Sequence, residues 1–234
     1  MRRFGLVLAL LAVLGTGRSL AQDPFLCLPP GGGPLIDHGS GTRDSLLTYG
    51  DGHYENAMTW QYGGVQLPYY GAFAECFSGD WLLDAVVLDL TQLGGQEDQV
   101  LDAYVWNDGG GIPGSILAME VGIAPGPVAY WPNLSRHYAF LHAPYPVHGP
   151  WWVGYWPNWP GEVAGWYVGC DHDSPLQGCV MTNIAPGIEL PTGWHSVDVV
   201  WGGLHSAIGV SALVQEQPTS AQSDTWGSMK ALFR

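Results

Sequence analysis

From residue 45 to about residue 215, short apolar or alternating runs are each closed by glycine, proline, asparagine or aspartate. Runs at 45–49, 56–62, 72–77, 83–91, 100–106, 115–121, 127–131, 136–141, 151–156, 164–169, 196–201 and 206–214 each have the length of one strand. No stretch keeps a helical period beyond two turns. The clearest reversal is VWNDGGGIPG at 105–114, where glycines supply the positive φ that a tight turn needs. About a dozen strands with short connections predict an all-β protein, an antiparallel β-sandwich of jelly-roll-like type.

The ends break this pattern. Residues 1–21 hold Arg2-Arg3, an apolar run and Ser19-Leu20-Ala21, which reads as an N-terminal signal peptide cleaved after Ala21. Residues 22–44 are Gly/Pro-rich and aperiodic, so they are expected to form an arm outside the core. The sandwich is assigned to 45–214. Residues 215–234 then give a polar linker and a short amphipathic segment carrying Trp226, Met229, Leu232 and Phe233.

Charge narrows the choice of partners. The whole chain carries −14, and removal of residues 1–21 leaves four basic residues against 21 acidic ones, a net −17. A nucleic-acid binder needs lysines and arginines to displace counterions, so no nucleic acid is expected as partner. No run approaches the roughly 20 apolar residues of a membrane span. Cys27, Cys76, Cys170 and Cys179 all lie in the secreted part. In an oxidising space they are expected to pair, Cys170 with Cys179 across a ten-residue loop and Cys27 with Cys76. The localisation expected is therefore secreted or extracellular, the periplasm or cell surface included.

The stretches YGDGHYENA (49–57), VWNDGGGIPG (105–114), WWVGYW (151–156) and TNIAPGIELPTGWHSVDVVWGGLHSAIGVSALV (182–214) resemble an uncharacterised family of secreted bacterial β-sandwich domains. The ending TWGSMKALFR resembles a short C-terminal motif, TWG-x-x-K-x-L-F-R, of exported proteins. The resemblance implies a fold and a compartment and carries over no catalytic residue.

Two acidic places could hold a hard cation. Asp171 and Asp173 alternate in CDHD, and Asp51 and Glu55 flank a turn in YGDGHYEN. Calcium is the ion such oxygens would suit, although Asx-type turns use the same residues. No other cofactor is indicated. The eight histidines include no H-E-x-x-H, and no G-x-S-x-G elbow is present, so no catalytic residue is assigned. Asp84, Asp89 and Asp102 read as outward polar positions of strands.

Aromatics carry the remaining signal. In 151–156, alternation puts Trp151, Val153 and Tyr155 on one face and Trp152, Gly154 and Trp156 on the other. Both faces are apolar, so either the second is covered or Trp152 and Trp156 wall an open groove on which sugar rings could stack. Trp159, held between Pro157 and Pro160, is the third ligand candidate, or else a lid folded onto the sandwich. The reading is a secreted non-catalytic binding or surface-associated protein, its partner a glycan or surface polymer. A self-associating structural protein and a glycan-active hydrolase are the alternatives.

Overall fold

The computed structural model describes residues 25–33, 35–37, 45–60, 69–95, 99–159 and 165–217. The expected signal peptide and C-terminal segment lie outside the described residues. In chain order the first strands are β1 (Phe25–Cys27), β2 (Leu35–Ile36), β3 (Ser45–Leu47), β4 (Asn56–Trp60) and β5 (Phe73–Ser78). Then come β6 (Trp81–Thr91), β7 (Leu101–Asp108), β8 (Pro113–Ile123), β9 (Leu134–Val147) and β10 (Pro150–Pro157). The last are β11 (Tyr167–Asp171), β12 (Met181–Ile184), β13 (Gly193–Ser196), a single helical turn α1 (Asp198–Trp201), β14 (Ala207–Ile208) and β15 (Val210–Glu216).

These strands form two sheets, as the alternation predicts. Six strands run β13-β12-β5-β10-β7-β8, and nine are built around β6, which pairs with β11, β15 and β9. From β5 onward the chain changes sheet at most connections, the habit of a jelly roll. Two predicted strands are corrected. Residues 127–131 form no strand, with Tyr130 making only an isolated bridge to Gln92, and 196–201 holds α1.

The core lies between the sheets. Trp151, Val153 and Tyr155 of β10 point into it, opposite Phe77, Glu75 and Phe73 of β5. The other β10 parity, Trp152, Gly154 and Trp156, faces outward, as alternation requires. Gly154 is needed there, because an added Cβ would lie 2.0 Å from the Phe73 carbonyl oxygen. Each buried aromatic removes a large apolar surface from water, worth about 2–3 kcal/mol.

The arm is part of the fold, contrary to expectation. β1 pairs with β4, and β2 runs parallel to β9. Phe25 packs edge-on against Trp60 and Trp201. Close approach is possible because Gly32 has no side chain: a Cβ there would lie 1.7 Å from the Tyr54 carbonyl oxygen. Beneath the arm, Arg136 Nε and Nη2 both donate to Asp89 at 2.8 Å. Tyr54 Oη donates to the same carboxylate at 2.5 Å, and Arg136 Nη1 reaches Asp37 of the arm at 3.3 Å. Asp89 is therefore buried and paired rather than solvated. Asp102 is buried too, accepting from Gly122 N–H and the Asn158 amide. Both stand on the outward parity of their strands, as expected, but that face is covered there, and ion pairing or hydrogen bonding offsets their desolvation.

Candidate functional site

Three places the sequence singles out can now be located. The aromatic candidates come first. Trp152, Trp156 and Trp159 are 2%, 9% and 1% exposed, so the open groove is not built from them. Trp159 folds back and meets Trp166 edge-on at 5.8 Å, close over Gly165, whose missing Cβ leaves room for the indole. Trp152 donates to Asp108 Oδ1 at 3.0 Å, and Trp156 to the Tyr70 carbonyl at 3.0 Å. Their outward face is covered by the protein's own rings. Tyr69 lies 4.8 Å from Tyr104 and 5.9 Å from Trp156, while Trp194 of β13 reaches Trp106 at 5.5 Å. Tyr69 adopts φ of 62°, uncommon for a bulky residue, in holding that position.

The cysteines pair differently from the expectation. Cys76 bonds to Cys179 with Cα atoms 5.5 Å apart, while Cys27 and Cys170 are free. The short loop does not close on itself because its ends belong to different sheets. Cys170 points from β11 into the core, where burial pushes its thiol well up. Cys179, leading into β12, lies against β5 of the other sheet.

The acidic residues are where the structure adds most. Cys170 of β11 pairs with Asn56 of β4, so the loops before β4 and after β11 emerge side by side. Glu55 of one expected place thereby joins Asp171 and Asp173 of the other, while Asp51 meets them through its backbone N–H. Carboxylate oxygens of Glu55, Asp171 and Asp173 all lie within 4.8 Å of one another. Much of their capacity is already used. Asp171 Oδ2 accepts the Asp51 N–H at 3.0 Å, and its Oδ1 accepts those of Asp173 and Ser174 at 3.2 and 2.8 Å. Glu55 Oε2 accepts the His172 N–H at 2.7 Å, and Oε1 lies 2.9 Å from His53 Nδ1.

Protonation follows from these contacts. Burial, with Asp51 nearby, raises Asp171. Burial would raise Glu55 also, but the His172 N–H and His53 hold it below the usual carboxylate range. Its hydrogen bond to Glu55 raises His53, whereas burial and the neighbouring His205 lower His172. The cluster gathers hard oxygens of the kind a calcium-like cation takes, and its hydrogen bonds staple two loops together.

Sequence reading missed three further features. His205 Nδ1 sits 2.6 Å from Asp198 Oδ1, with its ring 4.6 Å from that of His172. Glu75 is fully buried next to the disulfide. Third, among the described residues β8 forms the end of the six-stranded sheet and pairs only with β7. Along it Ile116, Met119 and Val121 are 36%, 52% and 62% exposed. Its position at an edge could not be read from its sequence, although the apolar run could. No helix among the described residues is long and apolar enough to cross a membrane. No protein-family model, curated protein or solved structure matches the chain.

Proposed function

We propose that the chain is a secreted, non-catalytic β-sandwich that acts as a surface-associated structural protein by joining copies of itself along β8. The observation that carries this reading is the edge itself. Among the described residues no strand pairs with the outer side of β8 over its eleven residues, and Ile116, Met119 and Val121 are exposed. Phe140 of β9, 51% exposed, adds another apolar surface on the neighbouring sheet. Soluble monomers blunt such edges with lysine, interior proline or a covering element. Between Gly114 and Ile123 there is neither lysine nor proline.

A second copy is the occupant that fits. Identical strands can pair antiparallel about a two-fold axis, so one edge serves both partners. The edge also carries little charge to repel its twin. Its one ionisable side chain, Glu120, is turned back to accept the His142 N–H. Three register shifts between β7 and β8 add local twist, which limits how many residues of a second edge can pair at once. Secretion fits an oxidising space in which the Cys76–Cys179 bond persists.

A second reading, cation dependence, is favoured by the shared carboxylate cluster. A net −17 opposes close approach of two copies, and calcium held near Glu55, Asp171 and Asp173 would reduce that repulsion. Glycan stacking on Trp152, Trp156 and Trp159 is not favoured, because it would require buried indoles to leave the interior.

Sedimentation or light scattering of the secreted protein, with and without calcium, tests the proposal. Wild type is expected to form dimers or larger species, and Met119→Lys with Val121→Lys to remain monomeric. A wild type that stays monomeric at high concentration in both conditions would overturn it.

A further inference from the structure

Glu75 lies on the inward-facing parity of β5, fully excluded from water, directly before one half of the disulfide. One oxygen, Oε1, accepts the N–H of Cys179 at 2.5 Å and of Cys76 at 3.3 Å. The other, Oε2, is buried without a hydrogen-bond partner. Leaving such an oxygen unsatisfied costs roughly 1–3 kcal/mol, and more if it is charged, so its persistence calls for a reason. A carboxylate oxygen of Glu75 and the sulfurs of Cys76 and Cys179 all lie within 4.8 Å of one another. Gly178 makes this approach possible, since a Cβ there would lie 2.7 Å from both Glu75 oxygens. The two cysteines are themselves only half-buried, so the bond is not sealed within the core.

We infer that Cys76–Cys179 is an exchangeable redox disulfide and that Glu75 is its built-in proton donor. An external thiolate attacks one cysteine sulfur, forming a mixed disulfide as the Cys76–Cys179 bond breaks. The departing sulfur takes the proton of the Glu75 carboxyl, directly or through one water, and Glu75 becomes a carboxylate. It regains a proton from solvent. A second external thiolate then attacks the outer sulfur of the mixed disulfide, and the bond to the protein sulfur breaks. That sulfur takes a proton from the re-protonated Glu75 or solvent, and the two external sulfurs leave as a small-molecule disulfide. The protein gains two electrons and two protons, and two external thiols are oxidised. Thiol–disulfide exchange is faster when the leaving sulfur is easier to release, which is what a poised proton provides.

The environment keeps the proton available. Burial pushes Glu75 up to about 8, although the hydrogen bonds from Cys179 and Cys76, and the looser approach of the Ile208 N–H, pull the other way. Tyr49, after β3, is the other ionisable group that feels Glu75, and its hydroxyl is raised by burial and by that carboxylate. Burial thus favours the protonated carboxyl that the exchange requires.

The test is the rate at which dithiothreitol reduces the intact chain, followed by alkylation and mass between pH 6 and 9.5. Rates are divided by the thiolate concentration at each pH, and Cys27 and Cys170 set the unreduced baseline. The wild-type rate should fall about tenfold or more as pH rises, with its midpoint near 8. Glu75→Gln should be slow and flat. A flat wild-type profile would overturn the proposal without any variant. Glu75→Gln that is flat but fast would also overturn it, by assigning the wild-type fall to repulsion between carboxylate and thiolate.

Discussion

Strands β10 and β8 stand two places apart in one sheet, and they invert what their sequences lead one to expect. PWWVGYWP carries three tryptophans and a tyrosine, and every residue after Pro150 is buried. PGSILAMEVGI has no aromatic residue, yet most of its length meets solvent. β10 has β5 on one side and β7 on the other, and its outward rings are roofed by Tyr69 and Trp194. Among the described residues β8 pairs with β7 alone and touches β9 only from the side, through Glu120 and the His142 N–H. Exposure follows from place in the sheet rather than from composition, and an aromatic-rich strand is more readily core than platform.

Four perturbations would break or sharpen that contrast. The largest concerns Glu75, which faces Val153 of β10 across the ladder. Its folded pKa is raised from 4.5 to about 8, so the folded state holds a proton the unfolded state has lost between those values. Stability from this group is complete below pH 4.5 and disappears as pH rises through 8, a loss on the order of 4–5 kcal/mol. Urea titrations at pH 5 and pH 8.5 should show that decline in wild type and a much weaker one in Glu75→Gln. Next, Trp152→Ala should cost about 3–5 kcal/mol, measured as a lower urea midpoint, because a cavity opens among packed rings. An open, solvated Trp152 would give almost no change.

Gly154→Ala follows, at about 1–3 kcal/mol, since the new methyl would meet the Phe73 backbone in a strand held on both sides. The smallest effect on stability is expected at the edge. Met119→Lys with Val121→Lys should change it by less than about 1 kcal/mol in total while removing association. Urea denaturation and sedimentation on the same samples would check both halves of that statement.

The sandwich, most strand positions and the facing of 151–156 are legible because a two-residue period states which side chains share a face. That period does not say what covers each face. Trp159 could not be settled from PNWPG, because its burial depends on Gly165 leaving space beneath the indole. The disulfide was misread for a related reason. Nearness in sequence favours Cys170 with Cys179, but β11 and β12 belong to different sheets. Glu55 reads in sequence as belonging to a different place from Asp171 and Asp173, since only the β4–β11 register brings their carboxylates together. One missed feature did have a signal. Arg136 is the only arginine or lysine among the described residues, and a cation so isolated in an acidic chain calls for a carboxylate partner such as Asp89.

Amide hydrogen exchange along β8, at low and high protein concentration, tests self-association through this edge most directly. The account predicts that amides between Gly114 and Ile123 exchange quickly in dilute samples and become protected as concentration rises, while those of β10 stay protected throughout. Equal exchange of the β8 amides at both concentrations, in a sample that sedimentation shows to be associated, would contradict it.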